Sequence, residues 1–147
     1  MEVTGLKLPT GFVRDVNNGK LRREIGSWQL KSDIDVFGNH LETEIGDVCE
    51  TPESISRATE DLWTYFVDES PDDEPNEWEN EPGYIPYIKN FSEILWFALG
   101  GDGSPFCFDF REDENNPSVI WWNDAWWVRI APDYESFIGL FDFSKAE

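Results

Sequence analysis

The chain has 147 residues, 39% of them hydrophobic, with eight tryptophans, eleven phenylalanines and a formal charge of −20 from 31 acidic and 11 basic side chains. A chain of this length buries roughly two-thirds of the surface its unfolded form exposes, enough for one domain without disulfide or metal staples. The charge excludes direct binding of nucleic acid, which Lys and Arg drive by displacing phosphate counterions: residues 1–31 carry +3, and the remaining 116 carry −23.

Two cysteines, Cys49 and Cys107, are too few for a secreted disulfide framework, and the start "MEVTGLKLPT" lacks the apolar run of a signal peptide. A cytoplasmic location is expected. The greasiest run, "ILWFALGG", is shorter than the roughly eighteen apolar residues of a membrane helix and ends in glycines, so no membrane partner is expected.

In chain order, "LPTGFVRDVNNGK" predicts a short helix, with Pro9 in its first turn and Gly19 as its stop. "LRREIGSWQL" and "HLETEIGDVC" read as strands around the polar turn "KSDIDVFGN". Thr51 is placed to cap a second helix that begins at Pro52; Ile55, Ala58, Thr59 and Leu62 fall at helical spacing, and the pattern runs to Tyr65 or Phe66. Next, eight acids and no base lie between Asp68 and Glu81, with prolines at 71, 75 and 82. Neither helix nor strand tolerates that density of proline and like charge, so residues 67–83 read as an acidic loop insert, either a contact surface for a basic partner or a solvated loop that serves solubility with Trp78 folded back on the sheet.

From Phe91 the pattern becomes a β-meander. "ILWFAL" and "FCFDF" flank the turn "GGDGSP", and "SVIWW" and "WWVRI" flank "NDA". Pro132, Asp133 and Glu135 open a closing helix, with Tyr134, Phe137, Ile138 and Phe141 at helical spacing. The expected fold is a single α+β domain, a central antiparallel sheet flanked by helices. Phe106, Phe108 and Phe110 share one strand face and belong to the core. A three-residue loop at 123–125 pairs Trp122 with Trp126, Ile120 with Val128 and Ser118 with Ile130 on the core face. It puts Trp121 opposite Trp127 and Val119 opposite Arg129 on the other face, with Arg129 able to stack on Trp121. On that reading, Trp121 and Trp127 are free for function.

Catalytic and metal chemistry finds little support. "GGDGS" leads into a strand without a following Lys, so it is a hairpin turn rather than a phosphate cradle. Asp68, Ser70, Asp72, Glu74, Asn76 and Glu79 mimic the ligand spacing of a calcium loop, yet Asp73 stands where glycine is needed and Pro71 and Pro75 break the frame. His40 is the only histidine, which leaves Cys49, Cys107 and every serine without a partner base. Acids and tryptophans are plentiful enough for a small glycoside hydrolase, but abundance does not position a pair. No cofactor, metal or catalytic residue is expected.

"FSEILWFALGGDGSPFCFDF", "SVIWWND" and "RIAPDYESFIGLFD", in that order, resemble the C-terminal half of the Smi/Knr-type proteins of the SUKH superfamily, and "LPTGFVRDVNNGKLRREIGSW" resembles that family's Leu-Pro helix start. The resemblance implies a central antiparallel sheet flanked by helices and a non-catalytic binding role. In bacteria that role is immunity against a toxin, often a nuclease; in a fungal relative it is scaffolding. The chain departs from the pattern before its Leu-Pro step, where the family's longer helix has no counterpart, and in the acidic insert.

Charge and resemblance share one logic, because an acidic surface suits a basic protein. The expected function is toxin binding and neutralisation, with an adaptor role as the alternative and a small hydrolase as a third possibility. The candidate contact residues are Asp72, Asp73, Glu74 and Glu77 with Trp78 as aromatic anchor, and the Trp121/Trp127 face.

Overall fold

The alternation that begins at Ile94 builds the centre of the fold. The structure, a computed structural model, describes residues 2–21, 29–41, 43–66, 83–85, 88–123 and 126–142. Its elements are β1 (Glu2–Val3), β2 (Leu6–Lys7), α1 (Thr10–Asn17), β3 (Gln29–Leu30), β4 (Ile45–Val48), α2 (Pro52–Tyr65), β5 (Ile94–Gly100), β6 (Pro105–Asp109), β7 (Ser118–Trp122), β8 (Trp127–Ala131), α3 (Tyr134–Ile138) and β9 (Phe141–Asp142). Strands β4-β5-β6-β7-β8 form one antiparallel sheet in that order, while β1 pairs with β2 and β3 with β9. The α+β class is as the sequence implies.

Every residue of β6 is buried, so the sheet is covered on both faces. Phe106 and Phe108 point into a large cluster with Phe12, Phe97, Trp121 and Phe137. Cys107 points the other way, into a second cluster with Leu62, Phe91, Ile120 and Trp127. The turn from β5 to β6 needs Gly103, whose φ of 89° a side chain rarely adopts. The Asp102 carboxylate locks this turn by accepting from the Ser104 N–H at 3.0 Å and its hydroxyl at 2.6 Å.

Helices α1 and α3 cover the first face. A Cβ on Gly11 would displace the Glu135 carboxylate and come within 3.0 Å of the Tyr134 ring, so glycine leaves room for both side chains where the helices meet. Behind the contact, the buried Asp15 carboxylate accepts from the Tyr134 hydroxyl at 2.8 Å and from Arg14 Nε at 3.1 Å. Burial, then the bond to Asp15, pushes the Tyr134 hydroxyl far above its ordinary pKa, so it stays a donor.

Helix α2 covers the second face through Leu62, while Ile55 reaches the first cluster. Its start is as expected, with Pro52 at the first position. Thr51 Oγ1 accepts from the Ser54 N–H and Ser54 Oγ accepts from the Thr51 N–H, both at 3.1 Å, a capping box with Ser in the place of Glu or Gln. Mid-helix, Thr59 Oγ1 accepts from the Trp96 N–H at 3.0 Å and ties α2 to β5.

Two expectations are overturned. The β7–β8 loop holds four residues, 123–126, closed by the Asn123 N–H donating to the Trp126 carbonyl at 3.1 Å and the Trp126 N–H donating to Asn123 Oδ1 at 2.9 Å. The pairs are therefore Trp122 with Trp127, Trp121 with Val128 and Ile120 with Arg129. Because side chains alternate with period 2, a one-residue slip moves a whole strand's set to the other face. Trp121 and Trp127 thus lie on opposite faces, 5% and 3% exposed, and neither forms a free aromatic pair. Arg129 goes with Ile120, away from Trp121. In addition, the closing helix stops at Ile138, and Phe141 reaches the core from β9 instead of a helical turn.

Trp121 fills the first cluster and donates its indole N–H to Ser104 Oγ at 2.7 Å, whereas Trp122 is only partly buried. Trp121→Ala should cost roughly 3–5 kcal/mol and Trp122→Ala clearly less. Denaturant melts giving the reverse order would restore the three-residue loop.

Candidate functional site

Of the predicted contact residues, only Trp121 and Trp127 are among the described ones, and they lie on opposite faces of the sheet. Asp72, Asp73, Glu74, Glu77 and Trp78 lie outside the described residues, as does the calcium-like frame, and Trp121 and Trp127 are core. His40 is exposed, with Nδ1 3.9 Å from Asp33 Oδ2. Cys107 is fully enclosed, and burial pushes its thiol well above the ordinary range, so it provides no thiolate for nucleophilic chemistry at neutral pH.

One cleft gathers arginines. Its volume is about 260 Å³, and Tyr84, Ile85, Arg111, Glu112 and Arg129 line it. Arg111 spends Nε and Nη2 on the buried Asp109 carboxylate at 2.9 and 2.8 Å, and that fork holds its pKa above even the usual guanidinium value. Arg129 meets Glu112 at 3.2 Å while its buried Nε has no acceptor. Two carboxylates balance two guanidiniums, so the cleft has no net attraction for an anion. Its backbone serves the sheet edge: Arg129 N–H donates to the Gly83 carbonyl at 2.8 Å, beside the bridge from Tyr84 to Val128.

The surface of α2 is different in kind. Between the β1–β2 hairpin and the helix runs a groove of about 420 Å³ lined by Glu2, Thr4, Glu53, Ser56, Arg57 and Glu60. Three carboxylates face one guanidinium there. One turn further along, Trp63 is 48% and Tyr65 74% exposed. Only two other large apolar side chains among the described residues are exposed, Ile34 and Val36, in the turn before β4. Sequence reasoning passed over Trp63 and Tyr65 because helical spacing marks the inward stripe of Ile55 and Leu62 and says nothing of what stands beside it.

The turn at Asp35 is a structural site. Asp35 Oδ1 accepts from the N–H groups of Phe37 and Asn39 at 2.8 and 3.0 Å, its buried Oδ2 has no partner, and burial raises the carboxyl above its ordinary value of 3.8. A raised pKa in the folded state means that folding loses stability as pH climbs through the ordinary carboxylate range and past the raised value. Asp35→Asn keeps the Oδ1 acceptor and removes that loss. The melting temperature of the variant relative to wild type should rise from pH 3 to pH 7, and a flat difference would show that the buried charge costs nothing.

Among the described residues, no group of three or more His, Cys, Asp or Glu is placed to hold a metal ion, and no helix is long and apolar enough to cross a membrane. EDTA should leave the melting temperature unchanged. A fall of several degrees would install an ion, with the Asp68–Glu79 frame as its first candidate. Comparison of the chain with protein-family models, curated proteins and solved structures finds no match.

Proposed function

We propose that the chain is a non-catalytic protein-binding domain of the cytoplasm, an immunity protein that binds and neutralises a basic toxin domain in bacterial competition. The observation that carries the reading is the charge of −23 on residues 32–147. A nuclease presents Lys and Arg to phosphate, and an acidic protein of matching potential occupies or obstructs that surface while drawing its partner in from solution. The likeness of residues 91–142 to the SUKH superfamily supports the same reading. Cys107 is closed to solvent, which removes the buried thiol as a nucleophile and favours binding over thiol catalysis.

The test is recovery of the partner. Tagged chain, drawn from its native host, should retain a basic domain whose gene adjoins its own, and adding the chain should abolish that domain's toxicity. A partner that is acidic, or one encoded elsewhere and non-toxic, would replace immunity with an adaptor role. With the partner in hand, neutralising Asp72, Asp73, Glu74 and Glu77 together should slow association by about one to three orders of magnitude at low salt and flatten its salt dependence. Trp78→Ala should act on dissociation instead. Unchanged rates in both variants would remove the acidic insert from the contact surface.

A further inference from the structure

The last two turns of α2 carry chemistry that the fold uses only in part. Glu60, Asp61, Trp63, Thr64 and Tyr65 are all exposed, although the helix is anchored by Leu62 between them. At about 100° per residue, Trp63 and Tyr65 flank the buried stripe on its two sides, and Glu60, Thr64 and Asp61 span the outer surface from one to the other. Glu60 precedes Trp63 by three residues and Asp61 precedes Tyr65 by four, so each carboxylate stands one turn from an aromatic ring, with Cβ atoms about 5–6 Å apart. A carboxylate beside an aromatic ring is the chemistry that takes a Lys or Arg: the acid meets the charged head, and the ring takes the cation or its stem.

Three further observations set the occupant. The last turn of α2 holds no basic residue, so the negative end of the helix dipole adds to Glu60 and Asp61, and a cation there relieves their repulsion. Glu60 also lines the groove that continues past Glu53 to Glu2, giving a track along the helix of about 15 Å, the reach of four to five extended residues. A second copy of this chain would bring another −20 to the same place, so self-association is opposed. Trp63 is also held in place, its ring edge-on to Phe91 at 5.7 Å, which lowers the ordering cost of docking against it.

We propose that the outer surface of α2, from the Glu2/Glu53/Glu60 groove to Trp63 and Tyr65, is the docking surface for a Lys/Arg-bearing segment of a basic protein. The proposal rests on the binding function given above and names its surface. Its probe is a synthetic (Arg-Gly)5 peptide titrated into the isotope-labelled full chain. The Trp63 indole N–H and the amides of residues 60–65 should shift most. Tyr65→Ala and the Glu60→Gln/Asp61→Asn pair should each weaken the peptide by about three- to tenfold. Tyr65 is largely free of the core, so its variant keeps the fold even where Trp63→Ala disturbs Phe91. The pair Glu93→Gln/Glu114→Gln removes the same charge elsewhere and should change affinity little. Equal weakening by that control, or a Trp63 signal that does not move, overturns the surface. If the partner recovered from the host is a basic toxin whose affinity ignores Tyr65→Ala and Glu60→Gln/Asp61→Asn, the surface falls and the immunity reading stands. If those variants weaken a basic partner that is not a toxin, the reading falls and the surface stands.

Discussion

The ring of Phe108 lies flat on Phe97 at 3.9 Å and meets the edges of Phe12 at 5.3 Å and Tyr134 at 6.1 Å, so one position in β6 joins β5, α1 and α3. Each such pair contributes about 0.5–1.5 kcal/mol beyond the area it buries. Their larger effect is positional. With Phe12 and Tyr134 fixed against one ring, Asp15 and the Tyr134 hydroxyl come within hydrogen-bonding reach, and a carboxylate that would be costly to bury alone is satisfied from two sides. Gly11 eases that closeness, since a larger residue would press on the Tyr134 ring and displace the Glu135 carboxylate.

Because α1 and α3 pack on one face of the sheet, and α2 together with Ile85, Ile88 and Phe91 packs on the other, the central strand β6 is buried on both faces. Trp121 and Trp127 follow from this constraint: aromatic residues on a doubly covered sheet are packing, and the indole N–H of Trp127 is buried even without an acceptor. The large apolar side chains exposed among the described residues lie instead on a helix back and in a connecting turn. On α2 the division is visible within five residues, where Leu62 is core and its neighbours Trp63 and Tyr65 are solvent-facing aromatics.

Local chemistry was readable where it is dictated by one or two residues. Thr51-Pro52 specified a helix start, the glycines at 100, 101 and 103 specified a turn, and alternation put Phe106, Phe108 and Phe110 inside. The β7–β8 register was not readable, for a physical reason: "WWNDAWW" is nearly palindromic, so a loop of three or four residues pairs Trp with Trp either way. The four-residue register is held both by the Asn123–Trp126 hydrogen bonds within the hairpin and by the docking of Gly83, Tyr84 and Val36 along the outer edge of β8. Phe141 was misplaced similarly, because an aromatic four residues beyond Phe137 satisfies helical spacing whether or not the helix continues. The α2 surface left no periodic signal at all, since exposure of an aromatic is a property of its surroundings.

Three arginines of the described fold are held by carboxylates. Arg14 is engaged by Asp15 and Glu135, Arg111 by Asp109, and Arg129 by Glu112. Asp15 and Asp109 are buried, so each of these two pairs holds one charge of either sign in balance, and the net charge of −20 is carried by the other side chains. A net charge this far from zero opposes the compact state through self-repulsion, and the aromatic core must offset it. A field that brings the fold no stability would find its use, under the proposed function, in the encounter with a basic partner, where like charges gathered beside exposed rings would convert long-range attraction into a contact of defined place.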